Sequence, residues 1–141
     1  MKIKIKKLDS DVILPSYAHP GDAGMDLFSC EDYLLKAGER HLFKLGLSIE
    51  LPPGYASLIW EKSGMAINYG IKNMGGVIEH TYRGEYGVIL INLSDEDYQI
   101  QKGDKIAQLL IQPIITAEIE EVSELSSSVR GDGAFGSTGK N

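Results

Sequence analysis

The chain has 141 residues, enough for one domain with a modest core. Its formal net charge of -6 argues against a general nucleic-acid or anionic-membrane surface, while a few local cations still suffice for one small polyanionic ligand. Cys30 is the only cysteine, which excludes an intramolecular disulfide and a cysteine-rich metal site.

From Met1 to Lys7, lysines alternate with Ile3 and Ile5, the pattern of a half-buried strand rather than of a signal peptide. No apolar run is long enough to span a bilayer, so a soluble chain in a reducing, cytoplasmic compartment is expected. Asp9 to Ser16 holds a short apolar run, Val12 to Leu14, that ends at Pro15. His19-Pro20-Gly21-Asp22 is turn chemistry, and Ala23-Gly24-Met25-Asp26-Leu27 brings small residues up to an acid expected to be buried. Tyr33 to Leu35 is a short strand and Ala37-Gly38-Glu39 a turn. Leu42, Lys44, Gly46 and Ser48 then interleave with Phe43, Leu45, Leu47 and Ile49, the alternation of a strand running to Leu51 and closed by Pro52-Pro53-Gly54. Tyr55 to Trp60 is the next strand.

Only Ser63 to Tyr69 reads as a helix, with Ser63 expected as its N-cap and Gly70 as its stop. Gly75 to Glu85 opens what reads as a hairpin. Val77 and Ile78 lead to Glu79, a short polar crossing follows, and a second apolar run extends from Val88 to Leu93. Ile106 to Ile115 is apolar on both faces, interrupted by Gln108, Gln112 and Pro113, and is expected as an inner strand, with Ile119 to Val122 the last one. Many short strands punctuated by Gly and Pro indicate an all-β jelly-roll barrel or sandwich with one short helix. The jelly-roll domain is placed at 1–122. Residues 123–141, rich in serine and glycine, have nothing with which to build a core and are expected as a flexible C-terminal lid.

Several stretches carry residues suited to chemistry. Gly75 and Gly76 let the backbone approach a ligand, and Glu79 with Tyr82 three residues on suits positioning a water and packing a flat ligand. The plain alternative is a surface hairpin with a solvated Glu. Lys62, Ser63 and Gly64 put a cation, a hydroxyl and helix N-terminal amides together, an anion site or simply a helix start. Ser63 has no His or acid beside it and is not read as a nucleophile. Gln108 in an apolar strand needs a partner, either a phosphate or an internal one. The tail from Arg130 through Phe135, Gly136, Ser137 and Thr138 to Lys140 joins a guanidinium, an aromatic ring, hydroxyls and glycines. Arg and backbone amides suit phosphate, the ring suits a base, and the segment suits a closing lid, against a plain Gly/Ser tail. It is not a Walker A loop, because Gly136 is followed by Ser137 rather than Lys. The scattered histidines give no metal spacing, so a metal here would be a hard ion carried on phosphates, as Mg2+ usually is.

Taken together, these segments resemble the trimeric dUTP diphosphatase (dUTPase) family, whose five short motifs occur here in order over nearly the whole chain. They are Ala23 to Leu27, Lys62 to Ala66, Gly76 through Glu79 to Glu85, Gly103 to Gln108, and Arg130 to Gly139. The resemblance implies a jelly-roll homotrimer with three sites, each built from three chains, that hydrolyses dUTP to dUMP and pyrophosphate. Gly76, Val77 and Ile78 would hold uracil through the backbone, with Asn73 at a position that touches the base in some members. Tyr82 would pack under the deoxyribose and exclude a 2′-hydroxyl. Lys62, Ser63, Gly64 and Gln108 would hold the phosphates, with Mg2+ bridging them. Another subunit's tail would bring Phe135 over the base and Arg130 to the γ-phosphate, with Gly136, Ser137 and Thr138 completing the lid. Asp26 would be a structural acid.

The chain departs from the family pattern at three places. Glu79 stands where the catalytic Asp is usual, Lys62 where Arg is usual, and His80-Thr81 separates the carboxylate from Tyr82. A sister activity, dCTP deamination, needs a carboxylate at the position of Ile89. A nucleotide-binding regulator without turnover is the alternative that Glu79 leaves open.

Overall fold

The structure, a computed structural model, describes residues 1–134. The Lys/Ile alternation forms β1 (Lys4–Lys7), antiparallel to β5 (Leu47–Glu50) with Lys7 opposite Leu47. The long alternating stretch after Arg40 is broken at Gly46 into β4 (Arg40–Lys44) and β5. Gly46 adopts φ 62, a left-handed conformation that glycine takes without strain, and lets the chain leave one sheet for another. The alternation itself survives the bend: Phe43, Leu45, Leu47, Ile49 and Leu51 all face the core. Each such buried side chain contributes about 2 kcal/mol.

Two sheets position the candidate residues. In one, β2 (Gly24–Phe28), β11 (Lys105–Pro113), β6 (Tyr55–Trp60) and β8 (Val77–Glu79) lie side by side in that order. In the other, β9 (Gly87–Asn92) runs between β4 and β7 (Ile71–Met74). A further pair joins β3 (Tyr33–Leu35) to β10 (Tyr98–Ile100). Leu27, Leu35, Phe43, Ile59, Leu90, Ile100 and Leu109 fill the core between these layers, an all-β jelly-roll arrangement with a single short helix among the described residues. No helix of the described residues is long and apolar enough to cross a membrane.

Three expectations need correction. Val77–Glu79 does not pair with the run after Val88. β8 pairs with β6, whereas β9 belongs to the other sheet, so the polar crossing carries the chain between sheets. The antiparallel neighbours are β7 and β9, with Met74 opposite Ile89, and β8 is part of the tip between them, peeled off to another partner. The helix α1 (Ser63–Tyr69) has the expected bounds and its left-handed stop at Gly70, but its N-cap is Lys62, and no side chain caps it. The strand expected over Ile119–Val122 is absent: β11 stops at Pro113, and 114–122 are exposed and irregular.

Candidate active site

The sequence around Glu79 builds a shallow cavity. Gly76 has φ 112, and a Cβ there would stand 2.7 Å from the Ile59 carbonyl, so only glycine lets β8 approach β6 this way. The Ile59 amide donates to the Gly76 carbonyl at 2.8 Å, and the buried Asn73 amide clamps the same bend by donating to Ile59 O (2.9 Å) and Gly75 O (3.1 Å). That leaves the Asn73 oxygen as its remaining polar group. Glu79 ends β8, and the Tyr82 amide donates to its carbonyl at 3.0 Å, making His80 and Thr81 the centre of a tight turn. Arg83 braces that turn by donating to the carbonyls of His80 (2.6 Å) and Tyr82 (2.8 Å). Glu79 is exposed, and its carboxylate makes no ion pair or side-chain hydrogen bond among the described residues.

Beside Glu79 lies a cavity of 260 Å³ lined by Val77, Ile78, Glu79, Tyr82, Glu85 and Tyr86. The Tyr82 ring folds back over Gly84, where a Cβ would stand only 2.3 Å from the phenol oxygen, and its hydroxyl donates to the Glu85 carbonyl at 3.1 Å. Tyr86 forms the floor. It is 1% exposed, and its hydroxyl is 3.0 Å from Ser57 Oγ. Burial pushes the Tyr86 phenol above its ordinary range, so it remains a neutral hydroxyl at physiological pH.

A second group forms where β2, β11 and the start of α1 meet. Asp26, expected to be buried, is 5% exposed. Lys62 Nζ binds its Oδ1 and Lys105 Nζ lies 2.7 Å from its Oδ2. Burial alone would raise the Asp26 carboxyl, but hydrogen bonds and charge from Lys105 and Lys62 outweigh it and hold the group below the usual carboxylate range. Gln108 pairs with both Asp26 and Trp60 in register, and its Nε2 donates to the Glu61 carbonyl at 3.0 Å. An amide nitrogen carries two protons, so one remains for a ligand. Gln108, Lys62, Asp26 and Gly24 line a cavity of 550 Å³, and Gln108, Ser63, Ala66 and Ile67 line an adjoining one of 490 Å³. Ser63 and Gly64 are exposed at the helix start, and the Ser63 hydroxyl makes no hydrogen bond among the described residues. Lys62 in one cavity and the Ser63 hydroxyl in the next, with Gln108 shared between them, suit an anion.

These two groups do not meet within one chain. Glu79 lies opposite Ala56, and Gln108 opposite Trp60, at the two ends of β6. Four strand residues span about 13 Å, and the cavities beside Glu79 and beside Gln108 share no lining residue. Arg130 is exposed and donates from Nε to Gly133 O at 2.8 Å, within its own turn. Phe135, Gly136, Ser137 and Thr138 lie outside the described residues. A further cavity of 590 Å³, lined by Val12, Cys30, His41, Gly46 and Glu85 among others, holds none of the expected site residues except the motif's Glu85. Among the described residues no three His, Cys, Asp or Glu side chains group as metal ligands.

Sequence reasoning gave no role to Lys105, Ser57 or Tyr86, and took Gly24 only as a small residue leading up to Asp26. Lys105 was within reach, as a cation three residues before Gln108 on a strand that brings it back to Asp26. The pairing of Ser57 with Tyr86 links β6 to a distant loop, and no local pattern encodes it.

The dUTPase family matches residues 10–139 of this chain. The chain is 49% identical to the deoxyuridine 5′-triphosphate nucleotidohydrolase of Clostridium acetobutylicum over 99% of its own length and 97% of the relative's. It is 51% identical to that of Clostridium tetani, covering 98% and 97%. Among solved structures, it superposes on the dUTPase of Staphylococcus bacteriophage 80alpha, solved with dUpNHpp, with a TM-score of 0.92 at 30% identity, covering 98% of each chain. It also superposes on a variant of the dUTPase from phage phi11 of S. aureus, whose structure details the coordination of a structural Mg(II) ion, with a TM-score of 0.84 at 27% identity, covering 90% and 100%.

Proposed function

The chain belongs to the dUTPase family, and we propose that its hydrolysis of dUTP to dUMP and pyrophosphate is carried by Glu79 as the base. The observation that supports this most is the placement of Glu79: an exposed carboxylate, unpaired among the described residues, on a turn beside the cavity walled by Tyr82. Water held by Glu79 gives it a proton as its oxygen attacks the α-phosphorus in line. The bond from that phosphorus to the bridging oxygen breaks, and pyrophosphate takes the electron pair.

Gly76, Val77 and Ile78 present backbone amides and carbonyls to uracil, and Tyr82 packs against the deoxyribose, leaving no room for a 2′-hydroxyl. Ser63, Gly64 and the second Gln108 proton take the phosphates, with Lys62 contributing charge from its place on Asp26. Because the base-holding and phosphate-holding groups stand at opposite ends of β6, one site draws them from different copies, in a homotrimer. Arg130 reaches the γ-phosphate from the tail, and Phe135 covers the base. Mg2+, when bound with the triphosphate, would supply charge neutralisation there. Both Asp26 oxygens are engaged by lysines and no three-ligand cluster exists among the described residues, so the ion fits as one held chiefly by phosphate oxygens and water.

The test is pyrophosphate release by the purified protein with Mg2+, offered dUTP, dCTP, dTTP and UTP separately. Release from dUTP alone is expected. Equal release from UTP would refute the Tyr82 role, and no release from dUTP would refute the assignment.

A further inference from the structure

Tyr86 is buried beneath the cavity beside Glu79, yet the hydrolysis as described gives it no task. It joins three parts of the cavity. Its hydroxyl lies 3.0 Å from Ser57 Oγ, and Ser57, fully buried on β6, lies with that oxygen 3.5 Å from the carbonyl of Ile78 on β8. The arrangement that uses both protons has Tyr86 donating to Ser57 and Ser57 donating to Ile78. On its other side the Tyr86 ring stands 6.0 Å from the Tyr82 ring, tilted by 49°.

The Tyr86 backbone is fixed in turn. Its amide donates to Leu47 O at 2.8 Å, and its carbonyl accepts from Leu45 N at 3.0 Å. The neighbouring Glu85 carboxylate accepts from Gly46 N at 3.0 Å and lies 3.6 Å from Lys44. Tyr86 is therefore anchored to the bend between β4 and β5 and reaches across to the strand that holds the base. β8 has only three residues and one partner strand, so beyond the Asn73 clamp at its start and the braced turn at its end, the Tyr86–Ser57 contact is what supports it from beneath relative to Tyr82.

We infer that Tyr86 and Ser57 are specificity-positioning residues: their hydrogen-bonded contact under the cavity holds β8 and the Tyr82 ring at a separation that accepts deoxyribose and rejects ribose. Steric exclusion of one hydroxyl discriminates only if the wall cannot retreat. A wall free to move by about an ångström would admit the extra oxygen. The inference rests on the proposed placement of the sugar against Tyr82.

The experiment compares kcat/KM for dUTP and for UTP in the unaltered protein, in Tyr86→Phe and Ser57→Ala, and in the double variant. The ratio of the two values is independent of how much protein is folded, so a purely structural role leaves it unchanged. Tyr86→Phe is expected to lower the dUTP/UTP ratio about tenfold, the scale of one lost hydrogen bond. Ser57→Ala, which also removes the bond to Ile78, should lower it at least as much, and the double variant should fall no further than Ser57→Ala, because Tyr86→Phe breaks a contact already lost there. An unchanged ratio in Tyr86→Phe, or additive losses in the double variant, overturns the inference. If the unaltered protein shows no preference for dUTP over UTP, the sugar placement itself falls, and this inference with it.

Discussion

Gly24 and Gln108 are packed so closely that a Cβ on Gly24 would stand 2.8 Å from Gln108 Oε1 and 3.2 Å from Gln108 Cβ. The glycine leaves room for the amide that lines the phosphate-side cavity. Gly24→Ala should push the Gln108 side chain off Glu61 O and into that cavity. Overpacking of this kind costs about 1–3 kcal/mol. KM for dUTP is expected to rise several-fold, with a matching fall in the urea midpoint. An unchanged KM would show that Gln108 does not hold the substrate.

Asp26 carries a pH dependence of known sign. Its folded pKa lies below its unfolded value, so its stabilising contribution is complete above that value and is lost as pH falls through it toward the folded one. The unaltered protein should be more stable than Asp26→Asn by about 2 kcal/mol at neutral pH, a figure reduced because Lys62 and Lys105 are partly solvated. Urea unfolding at about pH 7 and about pH 3.5 should show that gap narrowing in acid. A gap that holds constant would mean the two lysines do not set the Asp26 pKa.

The separation of Glu79 from Gln108 along β6 makes a claim about assembly. Copies carrying Glu79→Gln and copies carrying Ser63→Ala with Gln108→Ala should each be nearly inactive. Co-assembled, they should regain activity, because a site formed between copies can take an intact Glu79 from one and an intact phosphate side from the other. A site contained in one chain would stay defective in every copy, and mixing would restore nothing.

The sequence revealed residue types and local elements better than partners. The helix over Ser63–Tyr69 was legible because Gly70 supplies a left-handed stop, and the buried acid because small residues lead up to Asp26. The hairpin was misread for a physical reason. Val77–Glu79 and the run after Val88 both favour strand, but pairing depends on which edge is free, and Gly75 and Gly76 turn β8 toward β6. Ser63 looked like a cap because its hydroxyl is of the right type, while the chain places it one position inside. The run over Ile119–Val122 has strand composition but no partner strand among the described residues. The contact between Tyr86 and Ser57 spans 29 positions and leaves no periodic trace.

The most direct test of the account is single-turnover pyrophosphate release from dUTP by Glu79→Gln, alongside its affinity for a non-hydrolysable dUTP analogue. The amide keeps the size of the side chain but cannot take a proton at neutral pH. The account predicts a loss of about 10³-fold in rate with analogue affinity unchanged. Turnover within tenfold of the unaltered protein would contradict it, since Glu79 would then not be the base.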